Sequence, residues 1–183
     1  MRGLIIFSND MEDVEALATR ALLIRSGYQI DSLTFNKTKN VKTAFGLDIL
    51  ADYLKDDIDV NTYDFLIIPG GKYVDLTVDD DNQVKSLAKA FNANNKLICA
   101  ICAGPRFLGQ AKLLNGVKYT AYTGSETDMP KGIYYPHKKV VTDGLFITAR
   151  GAGVVYDFVY EIVRYFSGKE AAQKLLKNIL YKK

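Results

Sequence analysis

One of the two cysteines in the chain sits where a thiol can do chemistry. In Leu97-Ile98-Cys99-Ala100-Ile101-Cys102-Ala103-Gly104-Pro105 an apolar run of strand character turns directly into a segment opened by Gly-Pro. A strand-to-helix corner displays its central side chain at the carboxyl edge of a sheet, where open α/β folds bind ligands. Ala100 and Gly104, two residues to either side of Cys102, suit the crowding of a nucleophile elbow. A thiol at a helix start also faces unpaired N–H groups and the positive dipole end, which favour thiolate over thiol. Read locally, Cys102 is either a nucleophile or a small buried hydrophobe.

A reactive thiol needs a proton partner. The single histidine, His137, lies in a polar turn beside Lys138 and Lys139 and reads as solvated. Glu15 stands one position off the apolar stripe of the first helix, whereas Glu12 and Asp13 suit the solvated amino end. A carboxyl group held among apolar neighbours has a raised pKa and can donate a hydrogen bond to sulfur. The same spacing also fits a rim carboxylate in water. Cys99 and Cys102 spell Cys-x-x-Cys, but three steps of strand separate Cα atoms by about 10 Å, beyond the ~7 Å reach of a disulfide. Cys99 is therefore assigned to core packing. Gly151-Ala152-Gly153 follows a strand, yet Tyr156 stands where a dinucleotide fingerprint needs its third glycine. Gly168-Lys169 lacks the earlier glycine of a phosphate-binding loop.

The elements that must position these residues follow from periodicity. Leu4–Phe7 reads as a buried first strand. Val14, Leu17, Ala18, Ala21 and Leu22 form a helical stripe, with Asn9 and Glu12 spaced as a capping box and Gly27 ending the helix. Residues 28–35 alternate as a strand, and residues 43–50 around Gly46 form a hairpin or edge strand. Asp64–Ile68 is a buried parallel strand stopped by Pro69-Gly70-Gly71. Val84, Leu87, Ala88 and Phe91 have helical spacing, residues 96–100 return to strand, and Phe107, Leu108 and Ala111 line the helix after the elbow. Residues 117–122, 133–136 and 140–148 read as strands, the last two joined by a turn at residues 137–139. Val155–Phe166 and Ala171–Leu180 are two apolar helical stripes broken at Gly168. Strands alternating with helices predict a mostly parallel sheet covered on its faces.

The chain has 183 residues, a length suited to one domain. With 24 basic and 21 acidic side chains, a net charge of +3 gives no case for nucleic acid. Two cysteines and one histidine exclude a four-ligand structural zinc and a disulfide framework within one chain, leaving cytoplasmic chemistry as the expectation. The first apolar run spans four residues, too short for a signal peptide, and no stretch approaches the ~20 apolar residues of a membrane span.

With Glu12-Asp13-Val14-Glu15, Ile68-Pro69-Gly70-Gly71, Ala100-Ile101-Cys102-Ala103-Gly104-Pro105, and Asp143-Gly144 followed by Thr148-Ala149-Arg150-Gly151 in order, the sequence resembles the ThiJ/PfpI family in its parkinsonism-associated deglycase branch. The likeness covers essentially the whole chain. It implies a flavodoxin-like three-layer sandwich, one domain over residues 1–183, and a homodimer. It makes Cys102 the nucleophile and Glu15 the protonated carboxyl bonded to it, with Gly71 and Ala103 supplying N–H groups to an oxyanion. It implies no cofactor and no metal. Members of this branch commonly carry a histidine near the cysteine, and here Tyr122 stands in its place; a phenol is a poor general base at neutral pH. Ala103 replaces the histidine that protease-like relatives place after the nucleophile, so a Cys-His-acid hydrolase is not expected. Two activities follow: a cysteine-dependent enzyme on small reactive carbonyls such as methylglyoxal, or an oxidative-stress sensor or chaperone switched by sulfinic acid at Cys102.

Overall fold

The computed structural model describes residues 1–80 and 82–181. Its centre is a seven-stranded sheet built on apolar runs with too few polar residues to face water. Strands β6 (Phe65–Ile68), β7 (Leu97–Ile101) and β11 (Phe146–Ala149) are buried at every position, and β1 (Arg2–Ile6) at all but its first. The strand order is β10-β11-β7-β6-β1-β2-β5, with β2 at Gln29–Thr34, β5 at Tyr53–Leu54 and β10 at Val140–Asp143. All neighbours are parallel except β10 and β11. Parallel strands buried on both faces require helices above and below.

Those helices come in two groups. Helix α1 (Thr19–Arg25), entered through a π-helical turn at Val14–Ala18, packs against α5 (Val155–Asn178). Helix α3 (Asn82–Ala93) packs on β6 and β7 and against α4 (Pro105–Gln110). Right-handed crossovers that leave β1 in opposite directions put the groups on opposite faces. The result is the flavodoxin-like three-layer sandwich. Short helix α2 (Lys72–Thr77) follows Gly71. Arg106 on α4 ties it to Asp75 on α2 and to Asp128.

Several expectations shift. The first helix does not bury Val14, Leu17, Ala18, Ala21 and Leu22 as one stripe. Val14 is half exposed and Ala21 exposed, while Glu15, Ala16, Thr19, Leu22 and Leu23 face inward. The π-helical turn, wider than 3.6 residues, rotates the facing set by one position. Asn9 and Glu12 do not form a reciprocal capping box. The Glu12 carboxylate accepts from the Glu15 N–H at 2.6 Å, and Asn9 Oδ1 accepts from the Lys42 N–H. The hairpin around Gly46 forms from β3 (Asn40–Lys42) and β4 (Asp48–Leu50). Residues 140–148 are two strands, because Gly144 at φ +56 turns the chain after Asp143 into the antiparallel pair β10 and β11. Of 117–122 only β8 (Lys118–Tyr119) is strand, and it pairs in parallel with β9 (Ile133–Tyr134). Residues 133–134 thus join β8 rather than β10. Gly168, at φ +82, breaks α5 between its two stripes as the sequence indicates.

Candidate active site

Cys102 leaves β7 one residue after its last paired position. Its N–H donates to the Ala149 carbonyl at the end of β11 (2.9 Å), and its carbonyl accepts from the Tyr122 N–H (2.8 Å). Held through both its N–H and its carbonyl, Cys102 takes φ +62, a left-handed conformation costly for a residue with a Cβ. The turn survives because its neighbours are small. A Cβ on Gly104 would lie 2.5 Å from the Ile68 carbonyl oxygen, so β6 and the elbow touch through backbone alone. Cys102 is half-buried and unpaired with Cys99, which is fully buried in β7 between Ile67 and Ile147.

Glu15 reaches the same point from the π-helical turn and has no exposed surface. Its Oε2 accepts from the Gly70 N–H at 2.9 Å. Its other oxygen, Oε1, is buried without a hydrogen-bond partner of good geometry. The Cys102 thiol and the Ala152 N–H are the other groups within reach of the carboxyl. Burial pushes Glu15 up to about 7, helped by the nearby Glu12 charge and opposed by Cys102 and the Gly70 and Ala152 amides. Burial also pushes the Cys102 thiol up, and the Glu15 carboxylate adds to the rise; the Ala103 N–H pulls the other way. The helix start alone therefore does not make Cys102 a thiolate. Two acids sharing one dry site titrate together, and burial disfavours the charged form of both.

The sulfur opens on a cavity of about 510 Å³ lined by Glu12, Glu15, Tyr122, Lys139, Arg150 and Gly151 among others. A Cβ on Gly151 would lie 4.0 Å from Sγ. Four residues named from the sequence thus divide. Cys102 and Glu15 meet at the cavity, and Ala103 turns its N–H toward the sulfur. Gly71, at φ +121, packs its backbone on residues 10–12 and is not part of the cavity wall. The glycine in contact with both functional side chains is Gly70: a Cβ there would sit 2.6 Å from Cys102 Cβ and from Glu15 Oε2. Its place between Pro69 and Gly71 was visible, but which glycine met the thiol depended on the turn. Arg150 and Lys139 were also missed as site residues, since the registers of β11 against β7 and of β10 against β11 carry them to the elbow. His137 is exposed and outside this cavity. Among the described residues no group of three or more His, Cys, Asp or Glu side chains is placed to hold a metal ion.

Residues 1–165 match the DJ-1/PfpI family. The chain belongs to that family. It is 28% identical over 179 residues to Protein dj-1beta of Drosophila melanogaster, covering 97% of this chain and 96% of the other. The crystal structure of that DJ-1beta superposes with a TM-score of 0.92 at 27% identity, covering 100% of this chain and 98% of the other. Glutathione-independent glyoxalase DJR-1.2 of Caenorhabditis elegans is 32% identical over 178 residues, covering 93% of this chain and 90% of the relative. Deglycase PfpI of Pyrococcus furiosus is 28% identical over 165 residues, covering 90% and 98%. Among the described residues no helix is long and apolar enough to cross a membrane.

Proposed function

We propose that this family member is a cysteine-dependent enzyme acting on small reactive carbonyls, in the manner of a glyoxalase or deglycase, with no cofactor in its reaction. The observation that carries the proposal is the buried Glu15 carboxyl beside Cys102, raised to about 7 and with one oxygen unpartnered. The names of the C. elegans and P. furiosus relatives support the same chemistry.

In the proposed reaction the pair starts with one proton between sulfur and carboxyl. As Cys102 sulfur bonds to the aldehyde carbon of methylglyoxal, the C=O π pair moves to oxygen, and Glu15 delivers the proton there to give a hemithioacetal. The Ala103 N–H, which already faces the sulfur, holds that oxygen. The Glu15 carboxylate next takes the C1 proton to give an enediolate and returns it to C2, while the hydroxyl proton on O1 passes to O2 as the C1=O bond forms, giving a thioester of lactate. Water cleaves the thioester, releasing lactate and restoring the thiol. Repair of a glycated amine uses the same hemithioacetal, formed as the amine leaves.

The experiment is lactate formation from methylglyoxal by the wild type, Cys102→Ser and Glu15→Gln. Activity in the wild type and at least a hundredfold loss in both variants is expected; equal rates in all three overturn the proposal. Mass spectrometry after mild peroxide treatment tests the alternative. Addition of two oxygens at Cys102 without carbonyl turnover identifies a redox sensor, in which the unpartnered Glu15 oxygen donates its proton to the sulfinate.

In this proposal the enzyme works in the cytoplasm, where both thiols stay reduced, and as a homodimer. Exposed Val14 and Ile24 on the first helix, with Phe45 and Leu50 on the β3–β4 hairpin, support an interface between two copies. Sedimentation equilibrium reads it directly: a single species of about 20 kDa overturns the dimer.

A further inference from the structure

The cavity beside Cys102 has more volume and more charge than methylglyoxal uses. At about 510 Å³ it falls within the range of sites that enclose ligands much larger than a three-carbon aldehyde. Two cations line it, Lys139 and Arg150. They are not equivalent. Lys139 Nζ lies 3.1 Å from the buried Asp157 carboxylate, so its charge is already matched. Arg150 has no carboxylate partner among the described residues. Glu12, the acidic neighbour on the cavity wall, accepts the Glu15 N–H.

The placement of Arg150 is fixed by the sheet. Ala149 pairs with Ile101 across β11 and β7, which brings Arg150 level with Cys102 at the carboxyl edge. Its N–H donates to the Lys139 carbonyl (3.1 Å), tying the end of β11 to the residue that precedes β10. A guanidinium with no carboxylate partner among the described residues, lining a cavity that also holds a nucleophile, is suited to the far end of a substrate. Its planar fork matches a carboxylate in two parallel hydrogen bonds. Glu12 and Glu15 in the same wall favour a singly charged group over a doubly charged phosphate.

We infer that Arg150 is a specificity-determining residue that holds a carboxylate on the carbonyl substrate, so that the preferred substrates are aldehydes or 2-oxoaldehydes bearing a carboxylate several atoms from the reacting carbon. The inference rests on the carbonyl chemistry proposed above, but its test does not require turnover. Cys102 is alkylated in the native protein with N-ethylmaleimide, which is neutral, and with 3-maleimidopropionate, which carries a carboxylate at the far end. The readout is the ratio of the anionic to the neutral rate, compared between wild type, Arg150→Gln and Lys139→Gln.

Arg150→Gln is expected to lower that ratio about tenfold, the size of one charge-assisted hydrogen bond, while leaving the N-ethylmaleimide rate within about twofold. Lys139→Gln is expected to lower it less, because Asp157 already neutralises that lysine. The same ratio in Arg150→Gln as in wild type overturns the assignment, and so does an equal fall in Lys139→Gln, which would mark a general potential of the cavity. If methylglyoxal turnover fails but the ratio falls as stated, the carbonyl reaction is wrong and the anion-holding role of Arg150 stands. If turnover holds and the ratio does not move, the reverse is true.

Discussion

Replacing Glu15 by Gln should change how stability depends on pH, in a direction opposite to that of most carboxylates. In the folded chain the carboxyl is raised from its ordinary 4.5 to about 7, chiefly because it is buried. Between those two values the folded state keeps a proton that the unfolded state has lost. Stability from this group is therefore fully present below about pH 4.5 and falls as pH rises through about 7. At about 1.4 kcal/mol for each pH unit between the two values, the loss comes to about 3 kcal/mol. Gln has no proton to lose, and its amide oxygen keeps the Gly70 N–H partner. Urea unfolding of both proteins at steps from pH 4 to pH 8 gives the difference in unfolding free energy, in which titrations common to both cancel. The variant should gain about 3 kcal/mol on the wild type across that range. Above pH 8.5 the two cysteines, both raised by burial, add their own slope, so the comparison stops there. A difference that stays flat from pH 4 to pH 8 would mean that the carboxyl is ionised or solvated in the fold, and the proton economy of the site as described would be wrong.

Two further outcomes follow from the packing around the thiol. Gly70→Ala places a Cβ 2.6 Å from both Cys102 Cβ and Glu15 Oε2, so it should destabilise the fold by about 1–3 kcal/mol and abolish lactate formation; a variant with wild-type stability and rate would show that the turn relaxes freely. Iodoacetamide should modify one cysteine, Cys102, in the native protein and two in urea, because Cys99 has no exposed surface; intact-mass spectrometry counts the adducts, and early labelling of Cys99 would contradict its burial.

The sheet was legible because its strands are buried on both faces and read as unbroken apolar runs. Phe65–Ile68 and Leu97–Ile101 lie within a residue or two of where their composition puts them. The elbow was legible for a related reason, since the change from strand period to Gly-Pro marks one residue. What periodicity missed was local departure from period. The π-helical turn at Val14–Ala18 turns Glu15 inward and Val14 outward, although a 3.6-residue wheel assigns them the reverse. Asp143-Gly144 carries a tight-turn signal, but the apolar residues on both sides of it read as one continuous strand over 140–148. Arg150 lay beyond sequence reasoning because a long-range register, not a spacing, sets it beside Cys102.

The pair of raised acids also decides which proton path the site has open. A thiol beside a histidine base reaches thiolate at neutral pH by ion-pairing with the imidazolium. Here the histidine is in an exposed turn outside the cavity and a tyrosine stands at its wall, so this histidine does not supply an imidazolium to the sulfur. Burial then works against both acids at once, and a thiolate and a carboxylate side by side are excluded by their mutual repulsion. The one negative charge that the pair carries above about pH 7 must be shared through the proton between Glu15 and Cys102. In the proposed reaction a carbonyl entering the cavity removes that stalemate, because the developing charge moves off sulfur to an oxygen that the carboxyl can protonate and the Ala103 N–H can hold. In that reaction the burial that disfavours charge on the resting pair becomes a differential effect, favouring the adduct over the free pair.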